Sequence, residues 1–106
     1  MGKNIAKSMY LWHILFLEFE WDHSKNKANL TKHGVSFDEA QYAFLDPDFK
    51  IRIDVRHSTV AEKRYFSYGR VGRFVLTVRF TVRNYKIRIF GAGYWREGRK
   101  YYDKKK

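Results

Sequence analysis

The sequence predicts a single α+β domain in which a strand, two helices, an antiparallel β meander and a C-terminal helix follow one another along the chain. Helix start and stop signals divide residues 22 to 48 into two short helices, whereas apolar and polar residues alternate from residue 49 to residue 92. The chain of 106 residues contains one proline and is long enough for one core. We therefore expect helices on one side of an antiparallel sheet.

The first strand is predicted over residues 15 to 21, where Phe19 and Trp21 alternate with two glutamates. The apolar run of residues 9 to 17 is interrupted by His13, has no small-residue cleavage site after it and is too short to span a bilayer. We therefore expect neither a signal peptide nor a membrane segment.

The first helix is predicted from His23 to His33. Asp22 is a good N-cap because its carboxylate can accept hydrogen bonds from the exposed amides of the first turn. Gly34 ends the helix, since the left-handed conformation that follows a last helical turn is favourable for glycine. Little of this helix is apolar, so packing on a core does not explain its lysines, asparagines and histidines.

A second short helix is predicted from Ser36 to about Leu45. Ser36 and Glu39 have the spacing of a capping box, in which each side chain accepts from the other residue's backbone amide. Three apolar residues share one helical face, namely Phe37, Ala40 and Phe44. The Asp-Pro-Asp segment at 46 to 48 ends this helix.

Four further strands rich in β-branched and aromatic residues are predicted, at residues 49–55, 63–69, 73–83 and 86–92. Short turns at residues 70 to 73 and 84 to 85 connect the last three strands into an antiparallel meander. The segment "YWREGRKYYDKKK" then predicts a short helix and a lysine tail. The predicted domain covers residues 15–103, between an N-terminal extension at 1–14 and a basic tail at 104–106.

The strand at 73 to 83 has two different faces. One face is apolar, so we expect it to form a wall of the core. It consists of Phe74, Leu76, Val78, Phe80 and Val82. The other face becomes basic toward its end and consists of Val75, Thr77, Arg79, Thr81 and Arg83. This second face is a candidate contact surface.

The composition indicates a polyanionic partner. Lysine and arginine outnumber acidic residues 22 to 11, which gives a formal charge of +11, and aromatic residues make up 19% of the chain. RNA, DNA or an acidic protein would each be attracted by this positive charge, so the charge alone does not choose between them. The chain has no cysteine, which excludes thiol nucleophiles, thiolate metal sites and disulfides and fits a cytoplasmic location.

Three segments carry a resemblance to a known family: "FEWDHSKNKANLTKHGVSFDEA" (19 to 40), "EKRYFSYG" (62 to 69) and "RIFGAGYWREGRKYY" (88 to 102). They closely resemble the BrnT toxins of type II toxin–antitoxin systems over about residues 17 to 103. The most specific string is W-D-x-x-K-x-x-x-N-x-x-K-H-G-[VI]-S-F, which begins here at Trp21 and ends at Phe37.

This resemblance implies a RelE-like ribonuclease that inhibits translation by cleaving RNA. It also implies a BrnA-type antitoxin whose ribbon-helix-helix half binds operator DNA, so that DNA would be contacted only through the antitoxin. Many members of the family carry Ser-Ala-Arg at the end of the last strand, where this chain has Gly91, Ala92 and Gly93. If that arginine contributes to catalysis, Arg96 or Arg99 must replace it, or activity is reduced.

RNA cleavage without a metal requires removal of a 2′-hydroxyl proton, stabilisation of charge on phosphorus and protonation of the 5′-oxygen. His33 is the first candidate for proton transfer, because histidine titrates near neutral pH and the C-terminus of a helix favours its charged form. The alternative is that His33 only complements the helix dipole and caps carbonyl groups.

Cations on the first helix and on the strands are candidate RNA contacts. Lys25 and Lys32 share a helical face with Asn29 and His33, although a solvated helix face is the alternative. The strand arginines could present planar guanidinium groups to a phosphate undergoing attack, which makes Arg64 a catalytic candidate as well, or they could serve only as charges that prevent aggregation. These arginines are Arg64, next to Tyr65, together with Arg79 and Arg83 on the neighbouring strand.

The C-terminal segment supplies further candidates, which the resemblance favours: Arg96 and Arg99 as catalytic residues, and Lys100 and Tyr102 as RNA contacts. Glu62 and Glu97 are candidate bases, although Glu62 could instead pair with Arg64.

We predict no metal or other cofactor, because the four histidines are scattered and no glycine-rich segment has the phosphate-loop pattern. Five aromatic side chains could stack on unpaired bases or could belong to the core, namely Tyr65, Phe66, Tyr68, Tyr94 and Trp95. The alternative function is a noncatalytic basic module that binds nucleic acid or a partner.

Overall fold

The computed structural model describes residues 18 to 104, so the predicted extension at 1–14, the start of the first strand and the end of the lysine tail lie outside the described residues. Ten elements follow one another in the described chain: β1 (Glu18–Trp21), α1 (His23–His33), α2 (Phe37–Ala40), a 3₁₀ helix (Gln41–Leu45), β2 (Lys50–Ile53), a 3₁₀ turn (Val55–His57), β3 (Arg64–Val71), β4 (Phe74–Arg83), β5 (Lys86–Gly93) and α3 (Arg96–Asp103). The predicted order of strands and helices is confirmed.

The five strands form one sheet in the order β1-β5-β4-β3-β2. The pairs β2–β3, β3–β4 and β4–β5 are antiparallel, which confirms the predicted meander of the last three strands. Strand β1 pairs in parallel with β5, Glu18 opposite Lys86 and Trp21 opposite Ile89. The sheet is therefore mixed, and the expectation of an entirely antiparallel sheet was wrong. Strand β1 is far from β5 in sequence, so local patterning does not determine its direction.

The helices lie on both faces of the sheet, so the expectation that they cover one side was also wrong. Helix α2 and the 3₁₀ helix cover one face, where the main core consists of Val35, Phe37, Ala40, Ala43, Phe44, Leu76, Val78, Phe80, Ile87, Ile89 and Ala92. Helix α3 packs on the other face: its Gly98 lies against Thr77 and Tyr68, and Tyr101 contacts the ring of Tyr68. This second contact buries Val75 and Thr77, which the sequence assigned to the basic face.

The ends of the first two helices follow the sequence signals. The Asp22 carboxylate accepts from the backbone amide of Lys25, and Gly34 adopts a left-handed conformation (φ 71°) while its N–H donates to Leu30. The Ser36 hydroxyl accepts from the amide of Glu39, which is one half of the predicted capping box. The second helix tightens into a 3₁₀ helix from Gln41, and its predicted apolar face is buried.

Gly69 on β3 allows the 3₁₀ helix to pack directly on the sheet, because a Cβ atom there would overlap the backbone carbonyl oxygen of Ala43. We expect Gly69→Ala to lower the free energy of unfolding by about 2–3 kcal/mol, since a backbone group must move to make room. Chemical denaturation followed by circular dichroism measures this change.

The matched control is Gly91→Ala on β5, where the nearest atom to an added Cβ would be the Arg79 Cδ at 3.7 Å. That is an ordinary van der Waals distance, so we expect a change within about 0.5 kcal/mol. Equal stability of the two variants would show that the 3₁₀ helix does not need this close approach.

Candidate functional site

The sheet face opposite the main core places cationic and aromatic side chains in neighbouring cross-strand rows. One row runs from Arg52 on β2 through Phe66 on β3 and Arg79 on β4 to Gly91 on β5. The next row consists of Arg64, Thr81, Arg88 and Glu20. We call the surface formed by Arg52, Arg64, Phe66, Arg79 and Phe90 the basic face. Directly opposed residues share one side of a sheet, so these side chains are neighbours.

A β-bulge brings two cations to one aromatic ring. Arg79 pairs with Gly91 and Phe80 pairs with Ile89, so Phe90 is an extra residue in β5. The Arg64 guanidinium lies 4.2 Å from the centre of the Phe90 ring, and the Lys25 Nζ lies 5.5 Å from the same centre. Through these cation–π contacts, a residue of α1 and a residue of β3 bind the same aromatic ring.

Arg79 occupies the centre of the basic face and is half-buried. Its Cδ and Nη1 lie 3.7 Å and 3.9 Å from the position that a Cβ at Gly91 would take, so the arginine side chain extends alongside this glycine. Val78 on the same strand points into the main core, as the alternation of β4 requires. The predicted basic face of β4 is thus confirmed at Arg79.

Asn29 fixes α1 against β5, at the part of its edge that lies beyond the end of β1. Its side-chain amide donates to the carbonyl oxygens of Val35 and Ala92, each at 2.9 Å, and its Oδ1 accepts from the Ala92 amide at 3.2 Å. The buried amide therefore pairs with β5 much as a strand residue would. This contact positions the helix face that carries Lys25 and His33.

Glu62 is held by two arginines. Its carboxylate accepts from the Arg83 guanidinium at 2.7 Å and from the Arg64 Nε at 3.1 Å. These contacts, the Arg83 hydrogen bond foremost, keep the pKa of Glu62 below its usual range. The pairing of Glu62 with Arg64 that the sequence left open is therefore present, and it orients the Arg64 guanidinium beside Phe90.

A groove of about 350 Å³ lies between the basic face and the start of α3. It is lined by Arg52, Phe66, Tyr68, Thr77, Trp95, Arg96, Glu97 and Gly98. The Arg52 guanidinium lies over the rings of Tyr101 and Phe66, 4.8 Å and 5.8 Å from their centres. Burial raises the pKa of the Tyr68 hydroxyl, so the Tyr68 side chain is uncharged near pH 7.

His33 and the start of α3 meet at Trp95. The rings of His33 and Trp95 are in edge-on contact, with centres 5.2 Å apart, and Trp95 directly precedes Arg96. The Trp95 ring also covers Gly93, where an added Cβ would overlap it. The end of α1 and the beginning of α3 are therefore neighbours on one side of the molecule.

The remaining predicted residues are less closely associated with the groove. Arg99 and Lys100 line a separate, open depression with Arg52, and the exposed Lys32 lies in the last turn of α1. The Tyr102 hydroxyl donates to Asp46 at 2.6 Å, and burial together with this bond raises its pKa to about 12. This contact ties the end of α3 to the loop before β2.

One pairing inferred from the sequence is corrected by the structure. Tyr65 faces the main core and stacks on Phe80, so it does not accompany Arg64 on the basic face. Neighbouring residues of a strand point to opposite sides, and the burial of Phe80 decides which side Tyr65 takes. Phe66, the next residue, lies on the basic face instead.

Sequence reasoning missed Arg52 and Phe90. Arg52 belongs to an alternating segment in which Ile51 and Ile53 flank it, so its strand face could have been inferred, but not its proximity to α3. Phe90 reaches the basic face through the bulge, for which the sequence carries no local signal.

Within residues 18 to 104, no three histidine, aspartate or glutamate side chains lie close enough together to hold a metal ion. No helix in that part of the chain is long and apolar enough to cross a membrane.

A family model described as "Ribonuclease toxin, BrnT, of type II toxin-antitoxin system" matches residues 21–98. The matched range begins at the end of β1 and ends within α3, so it includes all of the residues that line the basic face and the groove. No curated protein matches the chain.

Proposed function

Since the chain belongs to the BrnT family of ribonuclease toxins of type II toxin–antitoxin systems, we propose that its basic face and groove form a metal-independent site that cleaves RNA and so inhibits translation. The observation that carries this proposal is the convergence of cations from four elements: Lys25 on α1, Arg52 on β2, Arg64 on β3 and Arg79 on β4. Aromatic rings lie between these cations, which suits a backbone that alternates phosphates with bases.

We assign phosphate binding to Arg64 and Arg79. Guanidinium groups present planar pairs of donors that match phosphate oxygens, and they stabilise the charge that develops as the 2′-oxygen attacks. Glu62 helps by holding Arg64 in place. Because its two ion pairs lower its pKa, Glu62 is a weak proton acceptor, and Glu97 in the groove is the second candidate for the base.

We assign protonation of the 5′-oxygen leaving group to His33. We assign stabilisation of the negative charge on the same oxygen to Arg96. Two observations support this assignment: the His33 ring contacts the Trp95 ring, and Trp95 and the next residue, Arg96, both line the groove. Trp95 fills the space beside Gly93, so an arginine there would displace the ring. Arg96 at the groove is therefore our candidate for the arginine that many relatives carry near position 93. Arg99 stays a weaker candidate.

We further propose that a BrnA-type antitoxin neutralises the toxin in the cytoplasm and connects it to operator DNA through a ribbon-helix-helix half. A chain of formal charge +11 would bind RNA nonspecifically through counterion release. An acidic segment that folds over the basic face would block this binding. Lys32, Arg83, Lys100 and Tyr102 belong to the wider surface that such a segment or an RNA strand would contact.

The decisive experiment incubates the purified protein with labelled single-stranded RNA in the presence of EDTA. We expect cleavage that yields 2′,3′-cyclic phosphate ends, because the attacking nucleophile is the 2′-oxygen. We expect His33→Ala and Arg96→Ala each to lower the cleavage rate at least about tenfold. The matched control Arg56→Ala removes an exposed arginine from the 3₁₀ turn after β2 and should leave the rate unchanged.

The alternative function, a noncatalytic basic module, predicts salt-sensitive RNA binding without cleavage. Cleavage that disappears with EDTA would contradict metal independence. Full activity in both His33→Ala and Arg96→Ala would contradict the assigned roles but not the nuclease activity itself.

A further inference from the structure

A second, smaller cavity lies at the end of the sheet where β4 begins and β5 ends. It measures about 220 Å³ and is lined by Phe74, Val75, Tyr94, Trp95, Arg96 and Arg99. We propose that this cavity binds one unpaired base of the RNA strand next to the cleaved bond. This inference rests on the proposed RNA-cleaving function, and it adds a base-binding pocket that the cleavage chemistry does not require.

The pocket walls are aromatic and unusually accessible. Phe74 is 65% exposed and Tyr94 is 40% exposed, and their rings are in edge-on contact with centres 6.0 Å apart. The sequence placed Phe74 in the core wall of β4. In the structure Phe74 does not belong to the main core, to which this strand contributes Leu76, Val78 and Phe80. Exposed aromatic rings lose little conformational entropy on binding and offer flat surfaces to a base.

Tyr94 is a fixed wall and not a proton carrier. Its hydroxyl donates to the Glu39 carboxylate, and this hydrogen bond anchors the ring to α2. Burial and this hydrogen bond raise the pKa of Tyr94 to about 12, so the ring is neutral near pH 7. A rigid, neutral ring suits stacking, because stacking needs a held surface more than a charge.

The pocket adjoins the groove. Trp95 and Arg96 line both cavities, so a strand whose phosphate lies in the groove would place a neighbouring base beside Phe74. Arg96 and Arg99 flank the aromatic rings and would pair with phosphates on either side of that base. This combination of aromatic walls and arginines favours a nucleotide over an uncharged apolar peptide.

The pocket can be tested with short 2′-O-methyl RNA, which the proposed 2′-oxygen chemistry cannot cleave. A series of oligonucleotides with one abasic nucleotide at successive positions is titrated against the intact protein by fluorescence anisotropy. We expect one abasic position to weaken binding about tenfold, which is typical of the loss of one base–aromatic stack. In Phe74→Ala, binding should be about tenfold weaker, and that position-specific loss should disappear.

The matched control is Tyr42→Ala, which removes from the 3₁₀ helix a similarly exposed aromatic ring (60%) that does not line the pocket. It should bind every oligonucleotide as the unmodified protein does. The proposal is overturned if Phe74→Ala behaves like Tyr42→Ala, or if Phe74→Ala weakens binding of an antitoxin and leaves RNA binding unchanged. Because the oligonucleotide is not cleaved, the pocket can be supported even if the nuclease proposal fails, and the reverse also holds.

Discussion

Replacing Arg79 with alanine is expected to lower kcat/KM for RNA cleavage by about 10²–10³-fold, the usual cost of removing one preorganised donor from a developing negative charge. Arg79 lies at the centre of the basic face, between Phe66 and Gly91 in one cross-strand row. Since a guanidinium should bind the transition state more tightly than the ground state, most of the loss should appear in kcat. Steady-state kinetics on a labelled RNA measures kcat and KM separately.

Two comparisons test the physical reason. Arg79→Lys keeps the charge but loses the planar pair of donors, so its activity should lie between those of the alanine variant and the unmodified protein. For RNA binding, Arg79→Ala should reduce the dependence of log K on log salt by about 0.7, the value for one phosphate contact on a single strand. An activity equal to that of Arg56→Ala would remove Arg79 from the proposed site.

Replacing Asn29 with aspartate is expected to lower the free energy of unfolding by about 3–5 kcal/mol at neutral pH. The Asn29 amide donates to two buried carbonyl groups, of Val35 and Ala92. A carboxylate of the same shape cannot donate to either carbonyl, and it would place a negative charge against them. The loss should be measured by urea denaturation.

The pH dependence has a definite sign. Burial against two carbonyl groups should raise the pKa of the introduced aspartate in the folded state above its unfolded value of about 3.9. The deficit relative to the unmodified protein is then smallest below that unfolded value and grows as pH rises through the folded value. Asn84→Asp, in the exposed β4–β5 turn, makes the same chemical change and should cost little. A pH-independent deficit would mean that charge is not its cause.

Local residues were sufficient to predict most of the secondary structure. Asp22 and Gly34 define the two ends of α1 because a carboxylate cap and a left-handed glycine act within one turn of the helix. The turn at Asn84 and Tyr85 was also predicted, and both residues adopt positive φ angles, 52° and 63°. The same proximity in sequence explains why the pairing of Glu62 with Arg64 could be anticipated.

The candidate site could be predicted only in part. The sequence identified the helix face of Lys25 and His33 and the strand face of Arg79, because each depends on the periodicity of one element. It did not identify the two cavities. The groove and the base pocket exist only because Trp95 and Arg96 are placed between them by the packing of α3 on the sheet.

The order of the elements could be predicted from the sequence, as could the ends of α1, the alternation of β4 and the positive charge. The tertiary structure alone decided that β1 runs parallel to β5, that α3 covers the face opposite α2, and that Phe90 leaves the regular register. The reason is physical. Caps, turns and alternation depend on neighbours a few residues apart, whereas strand direction, the face that a helix covers and the position of a bulge depend on contacts between distant segments that form only when the core assembles.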